Sequence, residues 1–186
     1  MDYNLCDLSC PFNINNNNSF TSARNLDSKT PLNLEDNGSK ILLVFEAPGY
    51  YEWENETPIY DSRNEGMLDS AGSRIAKAFE IYGKNRDGYD IAEAVSCFPG
   101  ARRNLIHDEI CRAAYYCKNF LMNYISTKRY SRIICWGHIA HNSVVDVVGA
   151  IQTKDPMYCP DIIFAKHPTA NDTTQQYINS IVRNYL

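Results

Sequence analysis

The segment Lys40-Ile-Leu-Leu-Val-Phe-Glu46, followed at once by Ala47-Pro48-Gly49, decides the fold. An uninterrupted apolar run between two charged residues is typical of a short strand buried on both faces, and the Pro-Gly pair ends it. Three later segments are also interpreted as strands, and helical patterns separate them: 89–95, 132–136 and 161–165. This alternation predicts an α/β fold, a three-layer α/β/α sandwich with a central four-stranded parallel sheet.

Between and after these strands, apolar residues recur at helical spacing. The predicted helices cover 66–81, 109–126 and 139–148, with a last helix capped by Asn171 or Asp172 and running to Asn184. Residues 50–65 are predicted to be an irregular loop. Residues 11–39, which include four consecutive asparagines, are predicted to be a polar insertion or loop within a single domain of residues 1–186.

The composition limits the classes of protein to consider. The chain has 186 residues, of which 44% are hydrophobic and 22% charged, and this excludes disorder of the whole chain. Its apolar stretches are far too short to cross a bilayer, and the N-terminus lacks the pattern of a signal peptide. We therefore expect a cytoplasmic monomer that has no membrane partner, in a prokaryotic or viral setting. With a net charge of −4, binding to nucleic acid would need a local basic patch.

Polar motifs follow each predicted strand, at the sheet edge where ligands of parallel sheets bind. They are Glu46–Gly49, Glu93–Arg103, Gly137-His138 and His167–Thr169. No Gly-x-Gly-x-x-Gly or Walker loop follows any of the strands, so no nucleotide cofactor is expected.

Three of the motifs resemble those of a known family when taken in order. Glu46-Ala-Pro-Gly49, Gly66-Met-Leu-Asp69 and His167-Pro-Thr-Ala170 resemble the uracil-DNA glycosylase superfamily, and most closely its iron–sulfur branch, the fourth family. The resemblance covers residues 40–170 and the N-terminal cysteines. It implies an enzyme that flips a base out of DNA and hydrolyses its N-glycosidic bond, with DNA as the partner.

The resemblance also implies a cofactor. Members of that branch hold a four-iron cluster through four cysteines, and the matching positions are Cys6, Cys10, Cys97 and Cys117. The Cys6–Cys10 spacing is one residue longer than is usual in the branch. A structural 4Fe-4S cluster is therefore expected, because thiolates are its proper ligands. Cys111 is the spare cysteine of this region, and Cys135, in an apolar run, is interpreted as a core residue.

The matching positions further imply roles in catalysis. His167 is the candidate donor to the departing base, and Glu46 begins the loop that would position water. Glu52 and Asp61 are further carboxylates near that loop, and we place Glu52 among the base-binding residues. Thr169 and the pair Arg102 and Arg103 are expected to meet DNA phosphates.

Departures from the family pattern point to a changed base pocket. Glu93 stands four residues before Cys97, where the uracil-removing branch has an asparagine that reads uracil. An ionised carboxylate only accepts hydrogen bonds, so it would pair with the exocyclic amine of a cytosine-type base and repel a carbonyl oxygen. The loop after Pro58 is two residues longer than in the family, its aromatic residue is Tyr60, and we expect that ring to stack on the base. Asn171 replaces the leucine of the last motif.

The favoured function is thus a monofunctional DNA glycosylase that removes a modified cytosine-type base. Glucosylated hydroxymethylcytosine of viral DNA is one example, and antiviral defence would be the setting. The alternative is uracil excision in base-excision repair. Two further alternatives are a covalent DNA-binding protein that uses His107 in the basic loop 100–107, and a relative that binds DNA without catalysis.

Overall fold

The computed structural model describes residues 9–12, 31–99 and 107–186. Four strands form one sheet: β1 (Ile41–Phe45), β2 (Asp90–Glu93), β3 (Arg132–Trp136) and β4 (Asp161–Ala165). Five α-helices accompany them in the described ranges: α1 (Tyr50–Glu54), α2 (Ala71–Tyr82), α3 (His107–Lys128), α4 (His138–Gln152) and α5 (Gln175–Tyr185). Short 3-10 turns lie at Ser62–Glu65 and Arg86–Gly88.

The sheet is entirely parallel, in the order β2-β1-β3-β4. The register places Phe45 of β1 beside Glu93 of β2, and Trp136 of β3 beside Ala165 of β4. Val44 lies beside Cys135, so Phe45 and Trp136 are also neighbours. The last residues of all four strands therefore form one row at the carboxyl edge of the sheet, and the predicted sheet is confirmed.

Alternation along the strands divides the core between the two faces of the sheet. Leu42, Val44 and Cys135 face α3 and α4, whose buried residues belong to the same cluster. Leu43, Phe45 and Trp136 face the opposite side, with α2 and α5. Helices α3 and α4 pack together, as do α2 and α5. This arrangement is the expected three-layer α/β/α sandwich.

Helix α2 starts later than the sequence pattern predicts. Its N-cap is Ser70, whose side chain accepts from the backbone N–H of Ser73, so residues 66–70 lie outside the helix. The preceding 3-10 turn ends at Gly66, which has a φ of 78°. Met67 and Leu68 fit the helical spacing by sequence, but both are exposed. The predicted start at residue 66 is therefore wrong.

The start of the last helix and the loop after β1 also differ from prediction. Thr174 caps α5 by accepting from the N–H of Tyr177, whereas Asn171 and Asp172 lie in the loop before it. Helix α1 falls inside the predicted irregular loop, because five residues are too few to show a helical period. None of the helices in the described ranges is long and apolar enough to cross a bilayer.

Candidate active site

Glu46, directly after β1, is held by the start of helix α4. The backbone N–H of Ile139 donates to Oε1 of Glu46 over 3.0 Å. Gly137 makes this approach possible, since a Cβ there would lie 2.3 Å from the same oxygen, and its φ of 104° also favours glycine. The start of α4 therefore holds the Glu46 side chain in a fixed orientation.

Glu93, at the end of β2, is a buried carboxyl group with an unsatisfied oxygen. The residue is only 6% exposed, and its Oε2 has no hydrogen-bond partner among the described residues. Burial raises the pKa of Glu93 well above its ordinary value, and the nearby negative charges of Glu52 and Glu46 act in the same direction, against Arg86. An ionised Glu93, as expected from the sequence, only accepts; burial favours a protonated form that can also donate.

Trp136 provides a second unsatisfied polar atom in the same row of the sheet. Its Nε1 is buried and lacks a hydrogen-bond partner in the part of the chain that the structure describes. The ring lies parallel to that of Phe45, with the centroids 5.9 Å apart. Phe45 lies between Trp136 and Glu93 in this row. At ordinary strand spacing, the backbones of Trp136 and Glu93 are therefore about 10 Å apart. Among the described residues, the carboxyl edge thus has one acceptor, on Glu93, and one donor, on Trp136, without hydrogen-bond partners. Trp136 was not singled out from the sequence.

Glu52 is buried on α1, and backbone groups hold its carboxyl in place. Burial raises its pKa, while hydrogen bonds from the backbone N–H groups of Glu52 and Gly49 act in the opposite direction. A Cβ on Gly49 would lie 2.6 Å from Oε2 of Glu52, so the glycine permits this contact. Glu52 therefore lies close enough to influence Glu93 through its charge, and its carboxyl already has local partners.

His167 is oriented by the residue two positions after it. The backbone N–H of Thr169 donates to Nδ1 of His167 over 3.3 Å, and the Thr169 hydroxyl lies 3.0 Å from the same nitrogen. Because Nδ1 accepts, the neutral imidazole carries its proton on Nε2, which makes Nε2 the hydrogen-bond donor. Thr169, predicted as a phosphate contact, thus lies against His167 and sets its tautomer.

Arg74 fixes the loop that carries His167. Its guanidinium donates to the carbonyl oxygens of Pro168 and Thr173, the latter over 2.7 Å. The side chain of Gln175 in turn donates to the Arg74 carbonyl over 3.0 Å. The first turns of α2 therefore hold both ends of the His167 loop. The sequence contains no motif that marks Arg74, because its role depends on carbonyl groups about a hundred residues away in the chain.

Tyr60 lies beside α2, on the face of the sheet toward which Glu93 projects. Ile59, Ile75 and Phe79 pack on that face with Ile91, two residues before Glu93 on β2. With these three side chains, Tyr60 lines a groove of about 390 Å³ along α2. Its hydroxyl donates to Oε1 of Glu65 over 2.8 Å. The stacking of Tyr60 on a flipped base stays a prediction.

The described cysteines divide clearly between the core and the surface. Cys10, Cys97 and Cys117 are buried and belong to one packed cluster on the α3–α4 face, whereas Cys111 is exposed. Among the residues that the structure describes, no group of three Cys, His, Asp or Glu side chains forms an evident metal site. Cys6, the fourth expected ligand, lies outside the described residues. Cys135 is a core residue, and burial raises the pKa of its thiol to about 12.

Several other predicted residues cannot be placed at the edge. Arg102 and Arg103 lie outside the described residues, as does most of the loop 100–107 that the covalent alternative invokes. Asp61 caps the 3-10 turn before α2 and pairs with Arg63 over 2.6 Å, so it forms part of the loop structure.

The carboxyl edge thus combines an oriented histidine, a fixed carboxylate and two buried polar atoms that have no hydrogen-bond partner within residues 9–12, 31–99 and 107–186. Such a set can stabilise a leaving anion, hold a water and read the edge of a planar ligand. No known protein-family model matches this chain, and no curated protein matches it significantly.

Proposed function

We propose that the protein is a DNA glycosylase that removes a flipped, modified pyrimidine and leaves an abasic site. The observation that carries the proposal is the buried Oε2 of Glu93 at the carboxyl edge of the sheet, which has no hydrogen-bond partner among the described residues. A buried polar atom without a partner costs on the order of 1–3 kcal/mol. A ligand that offers a donor at this position recovers that free energy, and the exocyclic amine of a cytosine-type base is such a donor.

His167 supports the leaving-group half of the reaction. When the bond between C1′ and the base nitrogen breaks, its electron pair goes to the base, which becomes an anion. With Thr169 donating to Nδ1, the proton of the neutral imidazole lies on Nε2, and this N–H is the group proposed to stabilise that anion. The imidazole acts as a neutral donor in this scheme and needs no change of protonation.

Glu46 is assigned to the water that attacks the sugar. As charge develops on the sugar, water adds to C1′ and its proton passes to a carboxylate. The hydrogen bond from the backbone N–H of Ile139, at the N-terminus of α4, keeps the Glu46 carboxylate in one orientation. Glu46 lies at the end of β1, between the strands that carry Glu93 and Trp136, so it fits this role by position.

Glu93 is proposed to select the base. In the free protein burial favours the protonated carboxyl, and an amine at position 4 of the base, which donates to Oε2, would favour the ionised form. That ionised form repels a carbonyl oxygen at the same position. The preferred substrates are therefore modified cytosines, including the glucosylated hydroxymethylcytosine of viral genomes, with antiviral defence as the setting. Uracil excision is the second candidate. The raised pKa of Glu93 favours it, because a protonated carboxyl can donate to O4 of uracil.

The cysteines suit the proposed iron–sulfur cofactor in part. Three of the four expected ligands, Cys10, Cys97 and Cys117, are buried in the hydrophobic core on the α3–α4 face, which also contains Cys135, and Cys6 would complete the ligand set. Four thiolates are the usual ligands of a 4Fe-4S cluster. When bound, such a cluster would supply a structural cross-link between the N-terminal segment and the domain.

The test is incubation of the purified protein with duplex and single-stranded DNAs that contain one defined base each. The panel comprises uracil, cytosine, hydroxymethylcytosine and glucosylated hydroxymethylcytosine, and the product is scored as an alkali-labile abasic site. The proposal expects cleavage at a modified cytosine. A gel-stable protein–DNA adduct would favour the covalent alternative, and binding without cleavage of any substrate would favour the non-catalytic one.

A further inference from the structure

Ile59, in the loop between α1 and the 3-10 turn before α2, has a backbone conformation that β-branched residues rarely adopt. Its φ is 42°, in the left-handed region, and its side chain is buried in the core, with 3% exposed. Such a conformation costs free energy and persists only where the surrounding structure holds it, most often at binding and catalytic sites. We call residues 56–60, which end at Tyr60, the Tyr60 loop.

Arg86 holds the Tyr60 loop by its backbone carbonyl groups. Its guanidinium donates to the carbonyl oxygen of Ile59 over 3.0 Å and also to that of Pro58. The φ angle of Ile59 is the rotation between these two carbonyl groups. A single planar guanidinium that binds both of them therefore fixes the left-handed conformation.

The same guanidinium joins the Tyr60 loop to β2, the strand that carries Glu93. Its Nε donates to Oε1 of Glu35 over 2.8 Å, and its Nη2 donates to Oε2 of the same carboxylate. Glu35 and Ile91 exchange backbone hydrogen bonds of 2.8 and 3.0 Å at the outer edge of β2, two residues before Glu93. Arg86 thus connects the loop of the proposed stacking ring to the strand of the proposed base-reading carboxyl.

Helix α2 also holds the Tyr60 loop in place. A Cβ at Gly72 would lie 2.0 Å from the carbonyl oxygen of Tyr60 and 2.6 Å from that of Ile59, so only glycine allows this approach. The Ile59 side chain packs in the same core cluster as Ile75 and Phe79 of α2. The loop is therefore fixed relative to both α2 and β2.

We propose that Arg86 is a positioning residue that sets the spacing between Tyr60 and Glu93, the two sides of the proposed base pocket. The inference rests on the proposed glycosylase function. A misplacement of about 1 Å in such a pocket can cost about a hundredfold in rate, so the separation of ring and carboxyl must be fixed. Arg86 acts through the carbonyls of Pro58 and Ile59 and touches no reacting atom in this scheme.

The positive charge of Arg86 favours the same base. Burial raises the pKa of Glu93 well above its ordinary value and also raises that of Glu52, and the charge of Arg86 opposes the rise in both. It thereby favours the ionised Glu93 that pairs with an amine. Position and charge are separable, because Gly72→Ala would displace the loop carbonyls without changing any charge.

The test measures the ratio of kcat/KM for two duplexes that carry cytosine or uracil with the same substituent at position 5. This ratio does not depend on the amount of folded protein, so a merely structural defect leaves it unchanged. The variants are Arg86→Ala, Arg86→Lys and Gly72→Ala. The matched controls are Arg63→Ala, which removes a guanidinium that binds carboxylate side chains, and Gly149→Ala, where a Cβ meets open space.

Arg86→Ala and Gly72→Ala should each lower the preference for the amino base roughly tenfold, and both controls should keep it. Arg86→Lys retains the charge beside Glu35, so it should fold even if the alanine variant does not. One ammonium cannot hold two carbonyls in a fixed plane, so the lysine should recover only part of the preference. Full recovery by Arg86→Lys, or a wild-type preference in Gly72→Ala, would overturn the positioning role.

Hydrogen exchange provides a second readout that needs no catalysis. Two backbone N–H groups at the start of the Tyr60 loop donate to carbonyls of α1, so exchange of the loop amides should be slow in the wild type. Exchange should be roughly tenfold faster in Arg86→Ala and unchanged in Arg63→Ala. Slow exchange in Arg86→Ala would overturn the positioning role alone. Release of no base by the wild type would overturn the proposed function and the specificity role with it.

Discussion

The guanidinium of Arg74 on helix α2 donates to the carbonyl oxygen of Pro168, the residue immediately after His167. A second hydrogen bond from the same group reaches Thr173, so Arg74 connects the helix to both ends of the His167 loop. The position of His167, the proposed donor to the departing base, therefore depends on how α2 packs against the sheet.

Arg74→Ala should therefore lower kcat at least tenfold while changing KM little, because the imidazole loses its fixed position and substrate contacts remain. Arg74→Lys should recover part of the loss, since one of the two carbonyl contacts can be remade. Lys77→Ala, an exposed cation on the same helix, is the control and should behave as wild type. A rise in KM with unchanged kcat would show that Arg74 binds DNA and does not position His167.

His167→Ala should reduce the rate of base release about a hundredfold or more, the scale expected when one charge-stabilising donor is removed. Thr169→Val should reduce it less, because the backbone N–H that donates to Nδ1 remains. Single-turnover rates measure the effect, and thermal unfolding checks that both variants fold. Wild-type rates in His167→Ala would remove this residue from the mechanism.

The cluster proposal predicts a brown protein that contains iron and absorbs near 400 nm, roughly as thiolate-ligated clusters do. Cys117→Ser and Cys97→Ser should lose iron, because both thiols belong to the proposed ligand set. Cys111→Ser is the matched control, because it lies exposed on the same helix, and Cys135→Ala should also retain the iron. A colourless, iron-free and fully active wild type would contradict the cofactor assignment.

Glu93 also predicts a dependence of stability on pH. Burial, followed by the charges of Glu52 and Glu46, raises its pKa in the folded state, so the folded protein holds a proton that the unfolded chain releases. The stability that this proton contributes is complete below the ordinary pKa and is lost as pH rises toward the folded value. Glu93→Gln should have the same Tm as wild type at low pH and a higher Tm near neutrality. The rise should be roughly 2–4 °C for each kcal/mol gained in the free energy of unfolding.

Glu80 offers a control of opposite sign for that measurement. A hydrogen bond from Arg63 lowers its pKa, so its contribution to stability is present at neutral pH and is lost as pH falls. Glu80→Gln should therefore lose a little stability near neutrality and none at low pH. If Glu93→Gln and wild type had identical Tm values across the pH range, Glu93 would not be a buried carboxyl with a raised pKa.

The sheet could be predicted from the sequence because apolar strands carry their own signal. Strands β3 and β4 coincide with the predicted segments, and β1 lies within its predicted range. The boundaries of α2 could not be predicted in the same way. Met67 and Leu68 match a helical period, but the serine hydroxyl contacts that hold residues 62–70 outside the helix depend on three-dimensional proximity.

The residues of the candidate site also differ in whether the sequence could predict their position. Glu46, Glu93 and His167 each follow or end a strand, and that position alone places them at the carboxyl edge. Arg74 and Trp136 carry no comparable signal. The first acts through distant backbone carbonyls, and the second matters only because its indole nitrogen is buried without a partner in the described part of the chain. The raised pKa of Glu93 likewise depends on burial that no local pattern shows.

The most direct measurement of the central claim compares two substrates that differ only at position 4 of the base. Duplexes with cytosine or uracil bearing the same substituent at position 5 are incubated with wild type, Glu93→Gln and Glu93→Asn, and abasic sites are counted. Losing a matched buried hydrogen bond gives a ten- to hundredfold preference, roughly, between them. The wild type should favour the amino base, and both variants should reduce that preference. Efficient release of the keto base by wild type, with no release of the amino base, would contradict the account.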